Sequence, residues 1–232
     1  MEDRAIVWTV DDRYLAHKRK LGYNDAMSAI KAVIFDWGGV LIDNPFSDLV
    51  AYCSEALDVP SDRFAEVREA HYPAFLKGLI SEKEFWRRVC GDLQVPPPNA
   101  PSLWGDAFRE VYAPRKEMFD LVALLQGRGY RTALLSNAEE PAARYFHECN
   151  YPMFDVLTFS CREKTAKPEP EIYELTLRRL DVAPAEALMI DDREDYLDGA
   201  WDVGIRALLF TTTEDVIASL MACLDAGEKR SD

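Results

Sequence analysis

Five short runs, at residues 32–35, 132–135, 156–159, 187–190 and 207–210, are apolar or nearly so from end to end instead of alternating with polar residues. A strand buried on both faces reads this way, whereas a strand with one wet face alternates. Helix-sized stretches at 139–148, 170–180 and 196–203 separate the last four runs. Three successive β-α-β steps predict an α/β fold with a doubly wound parallel sheet.

The first two runs are nearly 100 residues apart, far more than a crossover needs, so the interval carries an inserted module. Its pattern is helical. Residues 48–57 place Leu49, Val50, Cys53, Ala56 and Leu57 on one helix face. Ser81-Glu82-Lys83-Glu84 fits a capping box, with Ser81 as cap and Glu84 reaching back. Pro96-Pro97-Pro98 breaks the chain, and a further helix starts near Ser102. Pro114 precedes a helix at 118–126 that returns to the core and stops at Gly127 and Gly129. The expected division is an extension at 1–26, a core at 27–44 and 116–232, and a helical cap at 45–115. Within the extension, 6–10 reads as a short strand and 14–21 as a short helix.

Among the 232 residues, Lys and Arg total 27 against 41 Asp and Glu, a net charge of −14. Such a chain repels nucleic acid and anionic membranes unless a basic patch intervenes, and only the run His17-Lys18-Arg19-Lys20 offers one. The five cysteines are widely spaced with no CxxC pair, which fits a reducing compartment better than a disulfide framework. No apolar run approaches the ~18 residues of a membrane span, and the N-terminus lacks a signal-type apolar stretch. A cytoplasmic location is expected.

Four segments carry chemistry at or shortly after strand ends, where open α/β sheets bind ligands. In Phe35-Asp36-Trp37-Gly38-Gly39, a carboxylate ends the first run and a Gly-Gly turn exposes backbone N–H groups to an anion; Asp36 is a candidate nucleophile, or else the cap of a turn. In Leu135-Ser136-Asn137, the hydroxyl can donate to an anionic oxygen or cap the next helix. Lys167 precedes Pro168 and a helix starting near Pro170, so it is held out of helical backbone and can present a point charge to phosphate; a plain surface lysine is the alternative. Asp191 and Asp192 end the fourth run. Packed carboxylates are costly without a cation, and oxygen-rich sets suit Mg²⁺; the alternative is a solvated acidic turn in which Arg193 pairs locally. A nucleophile-type carboxylate, a hydroxyl donor, an ammonium and a metal-binding pair on one rim form a set for phosphoryl transfer.

These four motifs, in this order, resemble those of the haloacid dehalogenase superfamily, in the branch with a helical cap inserted after the first strand. The resemblance runs over about residues 27–224. Phe35-Asp36-Trp37-Gly38-Gly39-Val40-Leu41 resembles motif one in a Gly-Gly variant, and Leu135-Ser136-Asn137 resembles motif two. Lys167-Pro168-Glu169-Pro170 is similar to motif three, and Ile190-Asp191-Asp192 to motif four. The resemblance implies that Asp36 forms an aspartyl-phosphate and, with Lys167, is catalytic. It implies phosphate contacts from Ser136, Asn137, Lys167, Trp37 and Gly38, and Mg²⁺ held by Asp36, the Gly38 carbonyl, Asp191 and Asp192. The cap closes over the site and selects the substrate.

Two positions depart from that pattern. Most phosphatases of the superfamily carry a second aspartate, the general acid, where this chain has Gly38; loss of such a group typically slows reaction by ~10²–10⁴-fold. Asp43 lies seven residues past Asp36, reachable only if the loop folds back. Tyr196 stands where an amide-bearing residue often follows the acidic pair. The expected activity is Mg²⁺-dependent hydrolysis of a small phosphorylated metabolite, such as a sugar phosphate or a nucleotide-like ester, by a monomer or homodimer. A 2-haloacid dehalogenase using Asp36 without metal, and a catalytically weak binding protein of the same fold, are the alternatives. Trp37, Tyr72, Phe75, Trp86, Trp104 and Tyr112 are the aromatic candidates for the substrate pocket, and His71 reads as structural or solvated.

Overall fold

The computed structural model describes residues 28–228; the strand, helix and basic run expected before residue 27 lie outside them. Five parallel strands, β1 (Ala32–Phe35), β2 (Arg131–Ser136), β3 (Val156–Phe159), β4 (Ala187–Asp191) and β5 (Arg206–Leu209), form one sheet in the order β3-β2-β1-β4-β5. Each lies within a residue or so of its apolar run. The chain winds outward from β1 through β2 to β3, then returns to β1's other side for β4 and β5. The strand order therefore reverses between β1 and β4, the place where open sheets leave a crevice. Register aligns Phe35 with Leu134 on one side and Ile190 on the other, so the residues after these strands emerge together.

The two sheet faces bury different sets, as the two-residue period of a strand requires. Val33, Phe35, Leu134, Leu188 and Ile190 face α6 (Lys116–Gly127), α7 (Glu140–Cys149) and α11 (Thr213–Glu228). Ala32, Ile34, Ala133, Leu135 and Met189 face α9 (Pro170–Leu180) and α10 (Glu194–Asp202). Gly129, at φ +89°, supplies the left-handed turn between α6 and β2, a conformation glycine adopts without a Cβ clash.

Five helices fill the interval between β1 and α6: α1 (Phe46–Ala56), α2 (Ser61–Glu69), α3 (Tyr72–Leu76), α4 (Glu82–Leu93) and α5 (Leu103–Val111). Their shared core is aromatic. Phe75 and Phe85 stack at 4.4 Å, and Trp104 meets both edge-on at 5.6 and 5.7 Å. Ser81 caps α4 by accepting from the Glu84 N–H, but the box is half made: the Glu84 carboxylate turns outward to Arg87 and Arg88 instead of reaching back. Two guanidiniums offer that carboxylate charge-assisted bonds, which outcompete a neutral backbone N–H.

The inserted helices meet the sheet along a seam of two characters. On the α5–α7 side, Phe108 packs against Trp37 at 4.9 Å and Tyr145 at 5.9 Å, with the Tyr112–Tyr151 hydroxyl bond (2.5 Å) and the Arg109–Glu148 pair (3.0 Å) beside them. At the α3 end the ties are polar. Lys77 pairs with Glu169, the Lys164 ammonium donates to the Gly78 carbonyl at 2.5 Å, and the Ser160 hydroxyl donates to the Leu76 carbonyl at 2.7 Å. No helix among the described residues is long and apolar enough to cross a membrane.

Candidate active site

Asp36 follows β1 directly, and its N–H donates to the Ile190 carbonyl at 2.9 Å. That bond extends the β1–β4 ladder by one residue and brings Asp36 beside Asp191, the last residue of β4. Lys167 reaches both from the loop before α9, with its ammonium 2.8 Å from Asp36 Oδ1 and 2.6 Å from Asp191 Oδ2. All three are buried, Asp191 completely. Asp192 stands at the rim, and Asp36, Asp191 and Asp192 each present a carboxylate oxygen within 4.8 Å of the others.

Electrostatics follow from this packing. Burial, reinforced by Asp191 and opposed by Lys167, pushes the Asp36 carboxyl up to about 7. Burial also raises the Asp192 carboxyl, with Asp191 adding to the rise. Burial opposes the charge on Lys167, yet Asp191 and Asp36 hold its pKa above the ordinary lysine value. One ammonium thus faces three carboxylates. An excess of negative charge in a buried, all-oxygen set is what a hard divalent cation relieves, so the residues present fit Mg²⁺.

Gly39 accounts for the second glycine of the turn. Its φ is +90°, and a Cβ there would sit 2.1 Å from Asp192 Oδ2. Gly38 is different: a Cβ would meet only the Pro45 ring at 3.4 Å, an ordinary contact. Space does not dictate the missing side chain at 38. Asp43 does not fold back toward the site; it pairs with Arg115 at 2.9 Å and its side chain is 67% exposed.

A cleft of about 790 Å³ opens on this group, and Asp36, Trp37, Gly38, Ser136, Asn137, Lys167 and Asp192 all line it. The one-rim expectation therefore holds geometrically for these residues, with Asp191 set behind them. Ser136 does not cap α7, whose N-cap is Glu139, so its hydroxyl is left at the strand end facing the cleft. Asn137 is committed elsewhere. Its amide nitrogen donates to the Lys167 carbonyl (2.9 Å) and the Tyr196 hydroxyl (3.1 Å), and its amide oxygen accepts from the Lys167 N–H (2.8 Å). The side chain braces Lys167 instead of reaching toward a phosphoryl group. The Trp37 ring is also taken up, packed against Phe108 and against Phe146 (5.1 Å) and 2% exposed. A large aromatic gains most by full burial, leaving contact with an anion to the backbone at this position. Arg193 pairs with Asp195 at 2.7 Å, while its N–H donates to Asp191 Oδ1.

Among the other aromatic candidates, Tyr72 lines the cleft, whereas Phe75, Trp86 and Trp104 belong to the core of the inserted helices. His71 pairs with Asp92 at 2.7 Å. Of the cleft residues that the sequence does not mark as parts of the site, Tyr196, Arg68 and Glu139 bear most on its electrostatics. Tyr196 places its ring beneath the Lys167 ammonium at 4.9 Å and the Arg193 guanidinium at 4.3 Å; in the sequence it shows only as a departure from the family pattern. Arg68 and Glu139 also line the cleft although both are buried. Arg68 had one readable signal, a charge four residues after Phe64 on the buried face of α2. Glu139 had none, since a glutamate opening a helix reads as solvated.

Comparison with known proteins agrees with this geometry. The model of the haloacid dehalogenase-like hydrolase family matches residues 30–204. Acyl-CoA dehydrogenase family member 10 of Mus musculus is 29% identical over 206 residues, covering 84% of this chain, which spans 19% of the mouse protein's length. Sesquiterpene phosphatase astK of Aspergillus oryzae is 25% identical over 204 residues, covering 85% of this chain and 95% of that one. The crystal structure of a HAD family enzyme from Bacteroides thetaiotaomicron superposes with a TM-score of 0.69 at 22% identity, over 79% of this chain and 95% of its own.

Proposed function

This chain belongs to the haloacid dehalogenase-like hydrolase family, and from that premise we propose that it is a Mg²⁺-dependent phosphatase of small phosphorylated metabolites. The observation that carries the proposal is the imbalance at the strand ends, where among the described residues Lys167 is the one side-chain cation bonded to the cluster of Asp36, Asp191 and Asp192. The three carboxylates, with the Gly38 carbonyl, are the groups that would hold the ion. Bound there, Mg²⁺ supplies the positive charge that keeps Asp36 ionised and lets a phosphate dianion approach.

The chain's own residues do the rest. Asp36 attacks phosphorus, the P–O bond to the leaving group breaks, and an aspartyl-phosphate forms. Lys167 and Ser136 hold the phosphoryl oxygens, and Asn137 and Tyr196 keep Lys167 in place. Water then attacks the phosphorus, releasing inorganic phosphate and restoring the Asp36 carboxylate. Gly38 leaves the departing oxygen without a carboxylic acid, so it takes its proton from water. An aryl oxide tolerates this and an alkoxide does not, so aryl phosphates should turn over faster than alkyl ones. The name of the Aspergillus oryzae relative supports phosphatase chemistry. The inserted helices form the cap that encloses the substrate.

A metal-free 2-haloacid dehalogenase is the second reading, with which Gly38 is equally compatible. Its anionic substrate would meet the uncompensated charge of the three carboxylates. Hydrolysis of p-nitrophenyl phosphate, with and without EDTA, tests the proposal. Turnover that is lost with EDTA and in Asp36→Asn supports it. Chloride release from 2-chloropropionate in the absence of any phosphatase activity overturns it.

A further inference from the structure

Arg68 is a buried cation with no hydrogen-bonded anion among the described residues. Its side chain is 2% exposed, and its Nε and Nη1 atoms have no hydrogen-bond partner among those residues. The nearest paired carboxylate, Glu69, stands 3.9 Å away and is 73% exposed, beyond hydrogen-bond reach. The guanidinium is instead clamped by rings, with Phe46 at 4.4 Å and Tyr72 at 3.8 Å. Glu139 feels its charge, but the Glu139 oxygens accept from Trp104 Nε1 (3.0 Å) and the Tyr72 hydroxyl. The two rings lie against the guanidinium, and its Nε and Nη1 are enclosed without a partner. Arg68, Phe46 and Tyr72 all line the cleft that holds Asp36 and Lys167.

A buried charge without a partner is costly, and a planar five-donor fork is shaped for an oxyanion. We infer that Arg68 is a second anion subsite in the cap, and that the substrate is a phosphomonoester carrying another anionic group, a carboxylate or a second phosphate. The inference rests on the phosphatase reading, with Lys167 and Ser136 receiving the phosphoryl group that is cleaved. Arg68 receives the one that stays. Phe46 and Tyr72 fix its plane, so the distance between the two charges of the substrate is selected along with their sign. A neutral polyol phosphate leaves Arg68 unsatisfied.

The test compares substrate pairs that differ only in the second anion: 3-phosphoglycerate against glycerol 3-phosphate for a carboxylate, and fructose 1,6-bisphosphate against fructose 1-phosphate for a phosphate. Charge-assisted hydrogen bonds predict that the wild-type kcat/KM favours the bis-anion of at least one pair by ~10- to 100-fold. Which pair shows the preference distinguishes the two anions. Arg68→Gln brings that ratio close to one, and Arg68→Lys, which keeps the charge without the fork, gives an intermediate ratio. A wild-type ratio near one in both pairs overturns the inference, as does an equal loss for both members of a pair in the variants, which would make Arg68 a packing residue. Both of these leave p-nitrophenyl phosphate turnover in place and so are separate from failure of the phosphatase reading. Calorimetric titration of Asp36→Asn with the same pairs, with and without Arg68→Gln, decides the matter by binding where turnover cannot.

Discussion

Lys167 and Arg68 are both buried cations on the wall of one cleft, and the fold treats them in opposite ways. Lys167 arrives on a loop of the sheet domain, is braced by Asn137, and touches two carboxylates at 2.6 and 2.8 Å. Arg68 arrives on a helix of the insert and touches two aromatic rings. The first charge is matched inside the protein and, on the proposed reading, serves chemistry common to all phosphate esters. The second has no such match among the described residues. On that reading the reaction-defining part of the site lies at the strand ends and the substrate-defining part in the insert.

The largest expected effect tests the Lys167 side. Asp36→Asn leaves Lys167 one anionic partner short and removes the proposed nucleophile, and p-nitrophenyl phosphate turnover should fall by at least ~10³-fold. Stability separates the two cations next. Lys167→Met strands two buried carboxylates, and urea unfolding in EDTA should show a loss of about 3–5 kcal/mol. Arg68→Met replaces an unmatched charge with an apolar side chain of similar length, and the same measurement should show no loss or a gain of up to ~4 kcal/mol. Similar losses for both would erase the contrast.

A third measurement sharpens it through Glu139. Burial, against hydrogen bonds from Tyr72 and Trp104 and the pull of Arg68, holds the Glu139 carboxyl above its ordinary 4.5. The folded state therefore binds this proton more tightly than the unfolded chain. The resulting stability is fully present below pH 4.5 and is lost as pH rises through the elevated value. Relative to Glu139→Gln, wild-type stability should decline above that pH by at most ~1.4 kcal/mol per unit. In an Arg68→Gln background the decline should extend to higher pH, because the cation favouring the carboxylate is gone. The smallest effect is expected from Asn137→Ala, about a tenfold drop in kcat with little change in KM, since a positioning contact is lost while Lys167 keeps its charge.

The sheet was legible because burial on both faces writes itself as unbroken apolar runs, and strand ends such as Asp36, Ser136 and Asp191 inherit their places from those runs. The insert was legible only as helices. Its lining depends on which helix faces meet across nearly 100 residues, and no local period reports that for Arg68. Side-chain commitments were equally hidden. Asn137 stands in a phosphate-type motif yet braces Lys167, and Trp37 follows the nucleophile yet turns its ring into the core. In both cases the motif marks the backbone position, while distant partners decide what the side chain touches. The half-made capping box at Ser81 has the same origin, since Arg87 and Arg88 compete for Glu84.

The seam between insert and sheet has a mechanical consequence. On the α5–α7 side it is anchored by ring packing around Trp37 and Phe108, contacts that cannot be exchanged for water without exposing apolar surface. At the α3 end it is tied by Lys77–Glu169, Lys164 with Gly78, and Ser160 with Leu76, bonds that water replaces at small net cost. Were such an edge to open, it would pivot at the apolar side and unlatch at the polar one. Salt screens a charged latch and leaves a hydrophobic pivot intact. Ionic strength should therefore act on how fast ligands come and go, and far less on the geometry they meet once the edge is closed.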